Sequence, residues 1–199
     1  MSTLKVSTIS PLGTDATKTI TLGASGDTLS IPSGCTISNS GTASGFGKIN
    51  QVIQATKTDS QTFTLATDSY SDVTGLSLNI MPSSTSSKIL VDYRMHVGRQ
   101  STNPAPYSYL LRDGSIIFQG DSIGSRKRST ATYGNIGGTE TNAIHTQIFL
   151  DSPSTTSQVT YKIQVAGYAS RTFYVNIPDV NSVATMSATS TITAMEVLA

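Results

Sequence analysis

The stretch Ser87-Lys88-Ile89-Leu90-Val91-Asp92-Tyr93-Arg94-Met95-His96-Val97 decides the fold. Ile89, Val91, Tyr93, Met95 and Val97 fall on one side of an extended chain, and Asp92, Arg94 and His96 fall on the other. Side chains of a strand alternate between two faces, so a repeat of two kept up this long marks a strand with one covered face. The same alternation recurs on both sides of it. It runs through residues 49–55, 62–65 and 76–80 before it, and through 107–111, 115–119, 144–150, 159–165, 172–177 and 191–197 after it. Arg112-Asp113-Gly114 between two of these runs is a hairpin signal, because Asp-Gly supplies the positive φ values of a tight turn. No window shows a 3.6-residue repeat. About nine or ten strands without helices imply an antiparallel sandwich or barrel.

Composition agrees. The 199 residues include 60 Ser and Thr, whose side chains compete with helical hydrogen bonds and suit strands and turns. Thirteen basic residues stand against 12 acidic ones, which argues against nucleic acid as a partner. No apolar run is long enough to span a bilayer, and the first residues do not form a recognisable export signal, so a soluble chain is expected. Cys35 is the only cysteine, so neither a disulfide framework nor a zinc cage is expected to hold the fold. With no basic residue near it in sequence, Cys35 reads as a small apolar residue and not a nucleophile.

The composition breaks near residue 47. Residues 1–47 hold 18 of the hydroxyl residues, seven Gly, four charges and one aromatic, Phe46, whereas all eight Tyr and the other four Phe lie beyond. Such a segment lacks the apolar area for a globular core of its own. It does carry a weak repeat: Thr19-Ile20-Thr21-Leu22-Gly23, then Thr28-Leu29-Ser30-Ile31-Pro32-Ser33-Gly34, then Thr36-Ile37-Ser38. Short alternating strands closed by Gly or Pro need partners for their apolar side. Several chains wound together would supply them, with Ile20, Leu22, Leu29, Ile31 and Ile37 on a shared axis. The expectation is a fibrous, trimeric stem over residues 1–47, serving virion attachment, and a head over 48–199; a disordered Ser/Gly tail is the plainer alternative for the first segment.

Two resemblances sharpen this. The segments Ser87 to Arg94, Leu110-Leu111-Arg112-Asp113-Gly114 with Ile116-Ile117-Phe118, Val159 to Val165 and Ser190 to Val197 together resemble the heads of complement-type and tumour-necrosis-factor-like proteins. That resemblance implies a two-sheet jelly roll packed as a trimer. The opening Leu4-Lys5-Val6-Ser7-Thr8-Ile9-Ser10-Pro11, the repeats around Ile20 and Ile31, the run Ser83 to Val91 and Leu150-Asp151-Ser152-Pro153 are similar to tail-fibre and virion structural proteins of tailed phages, marine and cyanophage types especially. This second resemblance spans the chain. It implies a bacteriophage homotrimer made in the host cytoplasm and carried on the tail or particle surface, with other phage virion proteins as partners. A host glycan or lipopolysaccharide is the receptor it would recognise.

The chemical motifs are thin. Gly120-Asp121-Ser122-Ile123-Gly124 fits the nucleophile elbow of hydrolases, but Ser125-Arg126-Lys127-Arg128-Ser129-Thr130 follows it with no helical period. Glu140 and His145 follow Ser122 in the order acid then His, only five residues apart; drafting His96, Asp113 and Ser122 instead would compress a triad into too short a span. A surface turn is the better reading. His96 and His145 sit singly in alternating strands, without a His-x-His pair, and read as ordinary, partly exposed histidines and not metal ligands. No calcium loop and no carboxylate pair stands out, so neither metal nor cofactor nor enzymatic activity is expected. Arg126-Lys127-Arg128, followed by Tyr133, is the one charge cluster; Arg forks and a Tyr platform would suit anionic polysaccharide or lipopolysaccharide phosphates. Its plainer reading is a solvated loop, or an ion pair with Asp121 or Glu140. Residues 100–106 and 177–181 are further loop candidates. Two rival functions stay open: a capsid decoration or appendage protein that meets no receptor, and a polysaccharide-degrading tail spike, for which the chain is short.

Overall fold

Residues 87–97 form the spine of the larger of two sheets. The computed structural model describes residues 25, 26, 28, 30–35, 48–99, 106–132, 143–167 and 170–198. The chain divides into two units, Met1–Gly45 and Phe46–Ala199. Within the first, Cys35 donates its backbone N–H to Pro32 O at 3.2 Å and Gly34 has φ +86°, so Pro32-Ser33-Gly34 is a turn. Ile31 and Cys35 are exposed in the single chain. Ile20, Leu22, Leu29 and Ile37 lie outside the described residues, as does nearly all of the expected stem.

Among the described residues, the second unit is all β. Its ten strands are β1 (Ile49–Lys57), β2 (Gln61–Leu65), β3 (Tyr70–Ile80), β4 (Lys88–Arg99), β5 (Tyr107–Arg112), β6 (Ser115–Phe118), β7 (Ala143–Asp151), β8 (Val159–Ala166), β9 (Arg171–Val175) and β10 (Ser190–Val197). They pair antiparallel into two sheets. The four-stranded sheet runs β3-β8-β5-β6; the six-stranded sheet runs β1-β10-β4-β9-β2, with β7 on the other side of β4. The alternating apolar residues meet between them: Ile89, Val91, Tyr93, Met95, Val97 and Ile192 from one sheet, Leu76, Leu78, Tyr161, Ile163, Val165 and Leu110 from the other. Each large side chain so covered contributes about 1.5–3 kcal/mol. Phe118 of β6 stacks on Phe149 of β7, ring centroids 4.5 Å apart, which ties the sheets together along one side. Asp113 and Gly114, at φ +48° and +83°, make the tight β5–β6 turn that Asp-Gly implied.

Three features exceed the alternation. First, β3 starts at Tyr70 and not near Leu76, because an irregularity between Asp72 and Ser77 sets five steps of β3 against two of β8. Gly75, at φ +89°, takes up the bend, and both Val73 and Leu76 still reach the core. Second, β10 and β9 share one edge of β4: Lys88 to Arg94 pair with β10, and Val97 to Arg99 pair with β9.

Third, Asn176 closes the gap between those two strands. Its φ of +68° suits Asn better than most residues. Its N–H donates to His96 O at 3.0 Å and its carbonyl accepts from Ala188 N. The side-chain amide donates to Lys57 O and Asp59 O, both at 2.9 Å, and its oxygen accepts from Ser190 Oγ. Ser190 Oγ in turn accepts from His96 N. A buried amide with every group matched holds four segments at one point.

Candidate functional site

Residues 120–128 form an exposed, non-helical loop between β6 and β7. Ser122 is on its surface, and the segment after Gly124 is a turn in which Arg126 N donates to Ile123 O at 3.2 Å, not the helix a nucleophile elbow requires. Within the basic triplet the three residues differ. Lys127 Nζ pairs with Asp68 Oδ2 at 2.7 Å, from the β2–β3 turn, and that hydrogen bond raises its pKa. The expected partner Asp121 makes no ion pair among the described residues, and Glu140 lies outside them. Arg128 Nε donates to Gly120 O at 2.7 Å, folding the loop on itself. Arg126 stays exposed.

Tyr133 lies outside the described residues, yet tyrosines do stand beside this loop. Tyr109 donates its hydroxyl to Arg128 O at 2.8 Å, and Tyr70 packs against Tyr109 with ring centroids 5.3 Å apart, tilted at 55°. Tyr107 packs with Tyr109, Leu111, Ala166 and Ile116 in a small second cluster on the outer face of the four-stranded sheet. Burial, then the neighbouring Tyr70, Tyr107 and Asp68, push the Tyr109 hydroxyl far above its ordinary range. The patch is therefore three tyrosines, Asp68 and a basic loop. Sequence reasoning missed it because Tyr70, Tyr107 and Lys127 come from three separate loops' worth of chain. The one available hint was that Tyr107 and Tyr109 share a face of β5.

His96 is half-buried, as expected, whereas His145 is 1 % exposed, which corrects the expectation for it. It points inward from β7, its Nδ1 2.9 Å from Ser108 Oγ, which also lies 3.1 Å from Tyr93 OH. Burial lowers the His145 pKa to about 4, so the ring is neutral in the fold. Burial likewise pushes Tyr93 up to about 12, against the Ser108 hydrogen bond. His96 and His145 occupy opposite faces of the six-stranded sheet and form no ligand pair. No three His, Cys, Asp or Glu converge among the described residues.

Of the remaining loop candidates, 100–105 lie outside the described residues and Pro106 is buried. Residues 177–181, with Tyr174, Thr185, Met186 and Ser187, line a shallow cleft of about 300 Å³. Tyr174 donates to Asp179 Oδ1 at 2.5 Å, and this bond, with burial, pushes its hydroxyl to about 12. Gly98 is required beneath this loop, since a Cβ there would lie 2.2 Å from Ile177 O.

The outer faces of the two sheets differ in chemistry. On the four-stranded sheet, Asp72 accepts from Lys162 at 2.8 Å and from Gln164 at 2.7 Å, and Thr160 donates to Asn79 at 2.8 Å. The Lys162 hydrogen bond, ahead of the opposing effect of burial, lowers the Asp72 pKa. On the six-stranded sheet the register lines up Val52, Met195, Leu90 and Leu150 in one row across β1, β10, β4 and β7. The next row is Gln54, Thr193, Asp92 and Ile148. Val52 is 57 % exposed and Ile148 60 %, with Ile144 and Leu150 also open.

No family model matches the chain, and no curated protein does. Among solved structures it is similar to that of infectious bursal disease virus Gx strain, at 14 % identity and a TM-score of 0.37, over 75 % of this chain and 36 % of that one. The chain thus spans about a third of that neighbour's length. No helix among the described residues is long and apolar enough to cross a membrane.

Proposed function

We propose that the chain is a structural fibre protein of a phage particle, a homotrimer whose residues 1–47 form the stem and whose residues 48–199 form a jelly-roll head that adsorbs to the host surface. What supports this reading, beside the resemblance of its segments to tailed-phage fibres, is how the head divides its surface. One outer face carries polar pairs within the chain and borders a basic loop with Tyr70 and Tyr109 beside it; the other leaves Val52, Ile144, Ile148 and Leu150 open. A row of open apolar side chains suits assembly, and the exposed Tyr70 near a loop carrying Arg126 and Arg128 suits an anionic glycan or lipopolysaccharide.

Adsorption of the labelled full chain to host cells tests it. Specific binding, weakened about tenfold by Arg126→Ala with Arg128→Ala, is the expected outcome. Equal binding to host and non-host cells would remove receptor recognition and leave a capsid decoration or appendage protein. Oligosaccharide released from capsule or lipopolysaccharide by the purified chain would make it a depolymerase instead.

A further inference from the structure

We infer that the outer face of the six-stranded sheet is where copies of this chain meet, and that the contact is centred on the row Val52, Met195, Leu90 and Leu150 with Ile148 beside it. The inference names the surface that the assembly reading leaves open, and it rests on that reading only for the expectation that copies associate.

Four observations carry it. A solvated antiparallel sheet face is ordinarily polar, and a contiguous apolar patch rimmed by polar groups marks an interaction site. Here the apolar row spans four neighbouring strands, and its rim is polar: Lys88 on one side, and Gln54, Thr56, Arg94, Thr146 and Thr191 on the other.

The strand at the end of the row is an edge. Among the described strands, β7 pairs with β4 alone, and its nine residues contain no Lys, Arg or Pro, the residues that ordinarily guard an edge against pairing. Ile144, Ile148 and Leu150 therefore sit beside a ladder with one open side.

The charges within the face are of opposite sign and are not spent inside the chain. Asp92 Oδ1 is covered and has no hydrogen-bond partner, and Arg94, two residues along the same face, is exposed and forms no ion pair among the described residues. A face that carries the Asp92 carboxylate between the Lys88 ammonium and the Arg94 guanidinium offers charges of both signs to a second copy of the chain. A nucleic acid or an acidic membrane would require a strong basic excess, whereas the chain carries 13 basic residues against 12 acidic ones.

The area is sufficient. Four strands about 4.8 Å apart and about eight residues of about 3.3 Å each give roughly 500 Å² per copy. Two copies bury about 1,000 Å², where specific interfaces begin.

The test measures mass by light scattering across concentration on the full chain, alongside Ile148→Lys and, separately, Val52→Lys. Both positions are more than half exposed, so the fold is retained, and circular dichroism with thermal melting checks that it is. Wild type is expected at a multiple of 20.9 kDa, with each Lys variant dissociating at least about thirtyfold more readily. Asp92→Arg is expected to weaken association about tenfold, and Asp92→Arg with Arg94→Asp to restore it. Lys162→Ala on the opposite face leaves the mass unchanged. A monomeric wild type overturns the inference. So does an assembly that keeps its mass in both Lys variants, which would be held elsewhere, as by residues 1–47. Neither result bears on whether antibody-labelled chain is found on the phage particle, so the virion reading stands or falls separately.

Discussion

The two outer faces of this sandwich are made from the same kinds of strand and finished in opposite ways. On the four-stranded sheet, Asp72 pairs with Lys162 and Gln164 and Thr160 with Asn79, while Tyr109, Leu111 and Ala166 are covered in a small cluster of the face's own. On the six-stranded sheet, Val52, Leu90, Ile148 and Leu150 occupy the equivalent outward positions. The lesson is that period-two alternation only sorts residues into two sets; which set is buried within the chain is decided by the partner sheet. In β7 the covered set is Ala143, His145, Gln147 and Phe149, and the open set is Ile144, Thr146, Ile148 and Leu150. Hydropathy alone would choose the reverse.

The largest expected effect comes from the layer that both faces share. Ile163→Ala, at a fully buried position, should cost about 3–4 kcal/mol in urea unfolding. One cooperative transition should be seen by both far-ultraviolet circular dichroism and tyrosine fluorescence; two separated transitions would show that the faces belong to independent units and would break the comparison.

Next is Glu196, fully buried on the inward side of β10 beside Ile89. Burial by itself would raise its pKa, but donors from Ser83 (N–H and Oγ), Asn50 Nδ2 and Gln51 Nε2 outweigh that and bring it to about 2. Glu196→Gln places an amide donor against donors, and about 2–3 kcal/mol should be lost at neutral pH. Because the folded pKa is lowered, the contribution is complete above about 4.5 and disappears as pH falls towards 2.

His145 acts at milder acidity and lies between the sheets, on β7 against Ser108 of β5. Its folded pKa of about 4 is below the ordinary 6.5, so the unfolded chain takes up the proton first. Stability is therefore complete above about 6.5 and falls as pH drops towards 4, by about 2 kcal/mol between pH 7.5 and 5. His145→Gln should flatten that part of the profile, and an unchanged slope would mean that the ring titrates alike in the folded and unfolded chain. The smallest effect is at Asp72→Asn: an exposed pair on the polar face, worth less than about 0.5 kcal/mol in denaturant titration, with no change in mass.

Much of the fold was legible in the sequence. All ten strands announce themselves by alternation, and Asp113-Gly114 gives its turn outright, because both signals are local. What escaped is long-range. Lys127 meets Asp68 across 59 residues, and Asn176 reaches Lys57 across 119. His145 is buried because β7 lies beside β4 with its inner side against Ser108, which no periodicity states. The same reason hid the tyrosine patch and the open apolar row: each is assembled by pairing strands distant in the chain.

The shared edge of β4 has a consequence for how the sandwich forms during synthesis. β10 is the last of the ten strands to leave the ribosome, yet it lies between β1 and β4, and Ser190 at its start completes the joint at Asn176. Until residue 197 has emerged, β1 lacks its one sheet neighbour among the described strands and half of one side of β4 stands open, so the larger sheet closes only once β10 has been made. Its assembly is a late, non-local event, slow by the measure of contact separation, and it leaves the nascent chain dependent on protection of that central slot.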